Sequence, residues 1–497
     1  MSGEPPTAAL DDGRRVVRRD ELDGLVHAES RWLRRIGGSD SRHALLADNG
    51  IGWAVTDLAL HAMRALNVPL PAYFSDGQVA HALGDAGIDV VLTDDPARVL
   101  SLLPGFGAVG ESPQTGLVAL QRSRPSAPRP LLPPGTTKIT YTSGSTAAPK
   151  GVCLDADTIE RVARSLADVT RPLGVKRHLC LLPLATLLDN VAGLVAAPMA
   201  GATCLLPSTR STGIRFGGVD AAALLACISR HAPESMILVP ELLRLLVAGC
   251  ERGWTPPASL KFVAVGGASV APALLARAVA LGLPVYEGYG LSECASVVAL
   301  NTPGHNRQGS AGRVLPHSRV RIDAAGEIHV GGATMLGYLG QAPTDAGAAT
   351  AGRGGEVATG DLGEIDADGF LYVRGRLKNL FITSFGRNVA PEWVERELLI
   401  DPAVGQAVVL GEARPHAVAL LVATRADVTD AQLGAAIDAA NGRLPDYARV
   451  RRWRRLRQPF TFADGSLTAN GRVRRDVVRA RHDALIDSLY DDEALAS

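Results

Sequence analysis

The stretch YTSGSTAAPKG, residues 141–151, brings several aliphatic hydroxyls, a glycine and a lysine together in one short loop. Backbone amides of small residues can approach phosphate oxygens, hydroxyls add donors, and the Lys150 ammonium neutralises negative charge. The loop differs from a Walker A loop, because Pro149 precedes the lysine and a predicted strand follows it. We predict that phosphate is bound by these residues: Thr142, Ser143, Gly144, Ser145, Thr146 and Lys150.

A second candidate, YEGYGLSE at residues 286–293, carries the aromatic ring of Tyr289 and the carboxylate of Glu293. An aromatic ring can lie beside a purine, and a carboxylate next to the Ser292 hydroxyl can hold Mg²⁺. The stretch would therefore suit a nucleoside triphosphate. The alternative for this stretch alone is a strand-end turn that a glutamate caps.

A third candidate is TGDLGEIDADGFLYVRGR, residues 359–376, in which Asp361 and Arg376 flank a predicted hairpin. A carboxylate can accept hydrogen bonds from both hydroxyls of a ribose, and an arginine adds a planar fork of donors. Taken alone, these residues predict only a hairpin with Asp-Gly turns.

Composition excludes several classes of protein. With 497 residues the chain is too long for one hydrophobic core, and its formal net charge of zero favours neither nucleic acid nor an anionic membrane as a partner. The N-terminus lacks the apolar segment of a signal peptide, and no apolar run is long enough to span a bilayer. We therefore expect a cytoplasmic protein with no membrane span and no nucleic-acid partner.

The elements that must position these residues follow an α/β pattern. Helical spacing at residues 56–67 and a buried strand at 88–95 indicate βαβ units, and the runs KFVAVGGASV and LPVYEGYGLSE each stop at glycines. We predict a large N-terminal domain of parallel α/β sheets with a small barrel-like part at 309–375. A small α/β domain follows, so the predicted domains are residues 1–377 and the mobile segment 378–497.

Together, YTSGSTAAPKG, GYGLSE, TGD and GR-LK-N occur in an order that resembles the adenylate-forming superfamily of acyl-CoA synthetases, peptide-synthetase adenylation domains and luciferases. The resemblance covers residues 40–476, and GRLKNLFITSFGRNVAPEWVE is most similar to the long-chain acyl-CoA synthetase branch. It implies ATP and Mg²⁺, with CoA as the expected acceptor. It also implies two steps: carboxylate and ATP give an acyl-adenylate, a nucleophile then attacks it, and the small domain rotates about Lys378 between the steps.

The resemblance also assigns roles to individual residues. Glu293 would hold Mg²⁺, and Ser292 would lie near the α-phosphate. The catalytic residues would be Arg472, Lys150, Ser292 and Glu293. Adenine, acyl group and ribose would be bordered by Gly266, Gly267, Ala268, Tyr289, Gly290, Asp361 and Arg376. The substrate pocket would be lined by Thr186, Asp189, Asn190, Val239, Pro240 and Gly267.

The chain departs from the family pattern in three places. In the first, Ala147 stands where a glycine is usual. In the second, the segment LPLATLLDN, residues 182–190, has Thr186 in place of a histidine and Asp189-Asn190 in place of Glu-Arg. This second departure predicts a substrate pocket of unusual size or polarity. The third departure is Arg472, which stands where the family has a lysine that bridges the carboxylate and the α-phosphate. Arginine keeps the charge but has a different geometry. The chain has five lysines and 46 arginines, so a functional equivalent, an adaptation to a smaller substrate and a loss of adenylation all remain open.

We therefore predict an AMP-forming ligase that activates a carboxylic acid or a small anion. CoA or a carrier protein would accept the acyl group. One alternative is a diazotase of natural-product biosynthesis, in which ATP activates nitrite towards an aromatic amine. Another is a nucleotide-binding relic without activity. The basic run RVRRWRRLRQ, residues 449–458, suits either a CoA-phosphate or carrier-protein contact, or a solvated strand with Trp453 buried.

Overall fold

The computed structural model describes residues 8–38, 40–123, 129–142, 150–215, 218–341, 355–461, 463–468 and 471–490. The chain folds as an α/β protein in which a large N-terminal domain precedes a small C-terminal domain. Runs of buried aliphatic residues form its central strands, and segments with one buried face form its helices. None of the helices in these ranges combines the length and the apolarity that crossing a bilayer requires.

Residues 8–122 begin the large domain. Their elements are β1 (Ala8–Asp11), β2 (Val16–Arg18), α1 (Arg19–Gly37), β3 (His43–Leu46), α2 (Ile51–Ala62), β4 (Asn67–Pro69), α3 (Asp76–Asp85), β5 (Val90–Thr93), α4 (Pro96–Leu102), β6 (Phe106–Glu111) and β7 (Val118–Arg122). The strand predicted at 88–95 is confirmed as β5. The helix predicted at 56–67 begins earlier, at Ile51, and ends at Ala62 because the chain must turn before β4 begins.

Residues 138–300 continue the large domain. Their elements are β8 (Lys138–Thr142), β9 (Lys150–Leu154), α5 (Ala156–Thr170), β10 (Arg177–Leu179), α6 (Ala196–Met199), β11 (Thr203–Leu205), α7 (Thr209–Thr212), β12 (Ile214–Arg215), β13 (Gly218–Val219), α8 (Ala221–His231), β14 (Ser235–Leu238), α9 (Pro240–Glu251), β15 (Phe262–Val265), α10 (Pro272–Ala280), β16 (Val285–Tyr289) and β17 (Ala299–Leu300). A π-helix, Leu188–Val195, and a 3₁₀ turn, Ser292–Cys294, lie between them.

The remaining elements complete both domains. They are β18 (Arg313–Val314), β19 (Ser318–Ile322), β20 (Glu327–Gly332), β21 (Gly337–Tyr338), β22 (Val357–Ile365), β23 (Leu371–Arg376), β24 (Phe381–Ile382), β25 (Asn388–Val389), α11 (Pro391–Leu398), β26 (Val404–Leu410), β27 (Ala417–Ala423), α12 (Asp430–Arg443), β28 (Val450–Leu456) and α13 (Arg475–Asp487). A 3₁₀ turn, Leu377–Asn379, separates β23 from β24.

Two large sheets dominate the described part of the chain. The nine-stranded sheet has the order β18-β17-β16-β15-β14-β10-β11-β1-β2, with parallel pairing from β16 to β1. The eight-stranded sheet has the order β21-β9-β8-β4-β3-β5-β7-β6. The barrel-like part corresponds to an antiparallel sheet, β19-β20-β22-β23, and the small domain is built on β26-β27-β28.

A buried polar network ties the start of β8 to the π-helix. Lys138 Nζ lies 2.9 Å from Asp57 Oδ1 and donates to Asn190 Oδ1 at 2.7 Å, while Asn190 Nδ2 donates to Asp57 Oδ2 at 2.9 Å. These three side chains are almost fully buried. Because each partner satisfies the others, the network fixes the strand that leads into the loop 141–151.

Candidate active site

The site is built where three parallel neighbouring strands end. Val239 follows β14, Gly266 follows β15 and Gly290 follows β16, so these residues meet at the carboxyl edge of the sheet, where open α/β sheets bind ligands. Gly267 has φ +82°, and a Cβ on Gly290 would lie 1.6 Å from the Ser296 carbonyl oxygen. Both positions therefore require glycine.

Asp361 and Arg376 face each other across the β22–β23 pair. Arg376 Nε lies 2.7 Å from Asp361 Oδ1, and the Tyr289 hydroxyl donates to Asp361 Oδ2 at 2.7 Å. Arg376 also donates to the Thr359 carbonyl at 3.1 Å. The hairpin and the end of β16 thus join the second and third sequence candidates into one cluster.

Opposing effects act on this cluster. Burial raises the pKa of Asp361, while the charge of Arg376, the hydrogen bond from Tyr289 and the charge of Arg472 lower it. Burial also raises the pKa of Tyr289, and the neighbouring Asp361 adds to that rise. Tyr289 therefore stays a neutral hydrogen-bond donor to the carboxylate.

A second cluster joins Lys150 to Glu293 through Tyr338. The Tyr338 hydroxyl donates to Glu293 Oε1 at 2.9 Å, and Lys150 Nζ lies 5.6 Å from the centre of the Tyr338 ring. Burial raises the pKa of Tyr338, and the adjacent carboxylate raises it further. The Glu293 side chain accepts no other hydrogen bond from the described residues, so its second oxygen can contact a cation.

Arg472 comes from the small domain. It lies on a hairpin of residues 466–474, of which 469 and 470 are outside the described residues; we call it the Arg472 hairpin. Gly471 has φ +76° at its turn, and Thr468 and Arg472 exchange two hydrogen bonds across it. Arg472 Nε donates to the Gly267 carbonyl at 3.1 Å, so the small domain reaches the edge of the large sheet.

Positive charge gathers around Asp361. Partial burial lowers the pKa of Lys378, and the positive charges of Arg376, Arg472 and Lys150 contribute to that fall. Asp361 is the negative group that opposes it. These cations from both domains act on one another electrostatically, and such an arrangement suits an anionic ligand.

The predicted pocket residues separate into two groups. A Cβ on Gly267 would lie 3.5 Å from Leu188 Cδ1 and 3.6 Å from Val239 Cγ1, so these apolar side chains border the Arg472 contact. Asp189 and Asn190 are 0% and 1% exposed and lie in the interior instead. Asp189 accepts from the Leu182 amide at 2.7 Å, and Asn190 belongs to the Lys138 network. The structure does not bring these two side chains to the cleft.

The other predicted residues lie as follows. Thr186 donates its hydroxyl to the Pro183 carbonyl at 2.7 Å, and Pro240 is the first residue of α9. Ala268 follows Gly267, and Ser292 begins the turn that carries Glu293. Thr142 ends β8, whereas Ser143, Gly144, Ser145 and Thr146 lie outside the described residues.

Sequence reasoning missed Tyr338. It belongs to the two-residue strand β21, which pairs with β9 so that Tyr338 lies opposite Val152. The Leu339 amide also donates to the Gly151 carbonyl at 2.9 Å. Only this long-range pairing sets the tyrosine between Lys150 and Glu293. The one local signal is the aromatic residue within the glycine-flanked run GYLG, residues 337–340.

This fold and site define an adenylate-forming enzyme with a large and a small domain. The chain matches the model of the AMP-binding enzyme family over residues 2–339 and that of the AMP-binding enzyme C-terminal domain over residues 378–494. The protein therefore belongs to the AMP-binding enzyme family, and it is an AMP-forming ligase.

Three known proteins illustrate the similarity. A long-chain-fatty-acid–CoA ligase of Mycobacterium bovis is 27% identical, with 89% of this chain and 86% of that protein covered. The amide bond synthetase of Marinactinospora thermotolerans is 25% identical with a TM-score of 0.76, and 96% of this chain and 97% of that chain are covered. The o-succinylbenzoate CoA synthetase of Bacillus subtilis in complex with ATP and magnesium ion is 25% identical with a TM-score of 0.70, covering 95% and 97%.

Proposed function

We propose that the protein uses ATP and Mg²⁺ to convert a carboxylic acid into its acyl-adenylate, and that it then transfers the acyl group to CoA. The observation that carries this proposal is that Arg376 pairs with Asp361 at 2.7 Å while Arg472, from the small domain, donates to the Gly267 carbonyl at the end of β15. Cations from both domains would neutralise a polyphosphate and a carboxylate held together at the end of β15.

Each side chain has a role that its contacts suit. Asp361, oriented by Arg376 and Tyr289, would accept the ribose hydroxyls, and Lys150 would contact phosphate oxygens together with the loop 142–146. Glu293 would hold Mg²⁺ through the oxygen that Tyr338 leaves available. The bound ion would supply charge neutralisation at the phosphates.

Arg472 would act between the two substrates. Its guanidinium lies beside Gly267, next to the apolar side chains of Leu188 and Val239. From there it could contact both a bound carboxylate and the α-phosphate and orient one towards the other. Its planar fork offers two donors in a fixed geometry, which suits two separate oxygens.

Two further parts of the proposal concern the domains and the pocket. The 3₁₀ turn Leu377–Asn379 supports a boundary between residues 1–377 and 378–497, with Lys378 at the hinge. Leu188 replaces Asp189 and Asn190 in the proposed pocket, beside Val239. An apolar wall favours the hydrocarbon part of an organic acid.

The presence of arginine at position 472 also supports a second candidate function, the activation of nitrite for reaction with an aromatic amine. A small anion would leave more room for a guanidinium than a carboxylic acid does. This candidate requires no CoA.

The proposal is tested by a screen for AMP release with fatty acids, aryl acids, amino acids and nitrite. Each acid is assayed with CoA, with an arylamine and with neither, and thioester products are identified by mass spectrometry. We expect AMP release with one class of organic acid and a CoA thioester as the product. AMP release with nitrite and arylamine alone would assign the second candidate, and no release with any compound would refute both.

A further inference from the structure

The Arg472 hairpin is anchored at its base by the next residue along the chain, Arg475, which begins α13. Arg475 Nη1 donates to Glu392 Oε1 at 2.8 Å, and Nη2 donates to Glu395 Oε2 at 2.5 Å. Both carboxylates belong to α11, one turn apart. Both ion pairs are largely buried, since the side chains of Arg475 and Glu395 are 18% and 9% exposed.

The same ion pairs reach the hinge. Asn379, in the turn that also contains Lys378, donates to the Glu392 oxygen that Arg475 contacts, at 2.5 Å. Glu395 accepts a second hydrogen bond from the Val409 amide at 2.8 Å, so it is fixed against β26. The hinge turn, α11 and the base of the Arg472 hairpin thus share one set of charged hydrogen bonds.

The charges also support one another. Burial acts against a charged Arg475, but the two carboxylates outweigh it, and the pKa of Arg475 is raised. Breaking one member of such a buried set leaves an unpaired charge, which is more damaging than loss of a surface pair. Only Val473 and Arg474 separate Arg472 from Arg475 in the sequence, so a displacement of the base is passed on to Arg472.

We propose that Arg475 is a positioning residue of the adenylation step: its ion pairs with Glu392 and Glu395 hold the Arg472 hairpin so that Arg472 reaches the Gly267 carbonyl. The proposal rests on the proposed function, because it assigns Arg475 to the first of two steps. In the proposed two-step scheme Arg472 serves the first step, so we expect transfer of the acyl group from a supplied acyl-adenylate not to need this anchor.

The first test measures the two steps separately for Arg475→Gln and Arg475→Lys. The probe acid is octanoate, replaced by benzoate if the wild type does not activate octanoate. Pyrophosphate exchange reports the first step, and thioester formation from the synthetic adenylate and CoA reports the second. We expect Arg475→Gln to slow exchange about a hundredfold, with a smaller loss for Arg475→Lys, and to leave transfer within about threefold of the wild type. Equal losses in both steps, or no loss, would overturn the proposal.

The second test needs no substrate. Trypsin cleaves segments that open locally faster than segments that are held in place, so the rate of cleavage after Arg472 reports how firmly the hairpin is anchored. We expect Arg475→Gln to speed this cleavage about tenfold, because it removes the charged hydrogen bonds that hold the base of the hairpin. Unchanged cleavage would contradict the anchor.

The matched control for both tests is Arg474→Gln. Arg474 is the neighbouring arginine, its side chain is exposed, and it lies 3.7 Å from Asp476. We expect this variant to behave as the wild type in every assay. If the wild type activates neither acid, the first test fails with the proposed function, but the tryptic result still decides whether Arg475 anchors the hairpin.

Discussion

The Lys150–Tyr338–Glu293 cluster and the Arg472 hairpin contribute to the same cleft, but they are held in different ways. The first lies within the large domain, where β21 pairs with β9 and the Met335 amide donates to the Glu293 carbonyl at 2.7 Å. The second reaches the cleft through a side chain that contacts the Gly267 carbonyl of another domain.

The first part of the site therefore depends on contacts within one domain, and the second on a contact between two domains. Backbone pairing within the large domain holds Lys150 and Glu293 near each other. Arg472 contacts the cleft in the present arrangement of the two domains. A second contact between the domains is made by Arg396 of α11, which donates to the Val373 carbonyl of β23 at 2.5 Å. Variants in the first region should therefore impair metal and phosphate binding, whereas variants in the second should affect one step.

The largest effect is expected for Glu293→Gln. The amide oxygen still accepts the Tyr338 hydroxyl, but the negative charge that would hold Mg²⁺ is lost, so we expect AMP release to fall about a thousandfold. The measurement is acid-dependent AMP release as a function of Mg²⁺ concentration. Glu364→Gln, an exposed carboxylate paired with Arg374, is the control. If Glu293→Gln released AMP as fast as the wild type, the assignment of Glu293 as a Mg²⁺ ligand would be wrong.

The next effect is expected for Arg472→Ala, which removes the cation from the cleft. We expect pyrophosphate exchange to fall about a hundredfold, while acyl transfer from a supplied adenylate stays within about threefold. Arg472→Lys should retain part of the exchange rate, since it keeps the charge. Arg454→Ala, in the exposed part of β28, is the control. Exchange that survives Arg472→Ala would show that the hairpin has no role in the first step.

Sequence predicted the parts of the site that depend on local pattern. The glycines after β15 and β16 and the Asp361–Arg376 hairpin were readable because strand ends and turns leave clear composition signals. Tyr338 was not readable, because its position depends on pairing with β9, far away in the chain. Asp189 and Asn190 were predicted to line the pocket, but the wider turns of the π-helix Leu188–Val195 direct them into the interior.

The Arg472 contact shows a second limit of sequence reasoning. The motif predicted a catalytic cation, yet its partner Gly267 lies 205 residues away, and only the arrangement of the domains joins them. The anchoring of the hairpin by Glu392 and Glu395 has no sequence motif of its own. The part of this geometry that comes from packing between elements cannot be read from periodicity, which reports only one element at a time.

A smaller effect is expected for Tyr338→Phe. The ring stays over Lys150, but the hydrogen bond to Glu293 is lost, so the carboxylate is less well oriented for a cation. We expect the Mg²⁺ concentration for half-maximal AMP release to rise about tenfold, with little change in the half-saturating acid concentration. Tyr372→Phe is a matched control, because its hydroxyl also donates to a carboxylate, Asp366, at 3.1 Å but outside the cleft. An equal change in both variants would refute the assignment.

The smallest effect concerns the charges at the domain interface. Burial raises the pKa of Glu287 from 4.5 to about 7, and the positive charge of Arg396 opposes part of that rise. Between these two pH values the carboxyl group of Glu287 is protonated in the folded protein and ionised in the unfolded chain. The contribution of Glu287 to the free energy of unfolding therefore falls as the pH rises from about 4.5 to about 7.

Glu287→Gln should remove this contribution, because an amide does not titrate. We expect the fall in Tm between pH 5 and pH 7.5 to be smaller in the variant than in the wild type by about 2–4 °C, measured by differential scanning calorimetry. Glu364→Gln, an exposed carboxylate of β22, should leave the pH profile unchanged. If Tm changed with pH equally in Glu287→Gln and in the wild type, the pKa of Glu287 would be the same in the folded and unfolded chains. Burial beside Arg396 would then not raise that pKa.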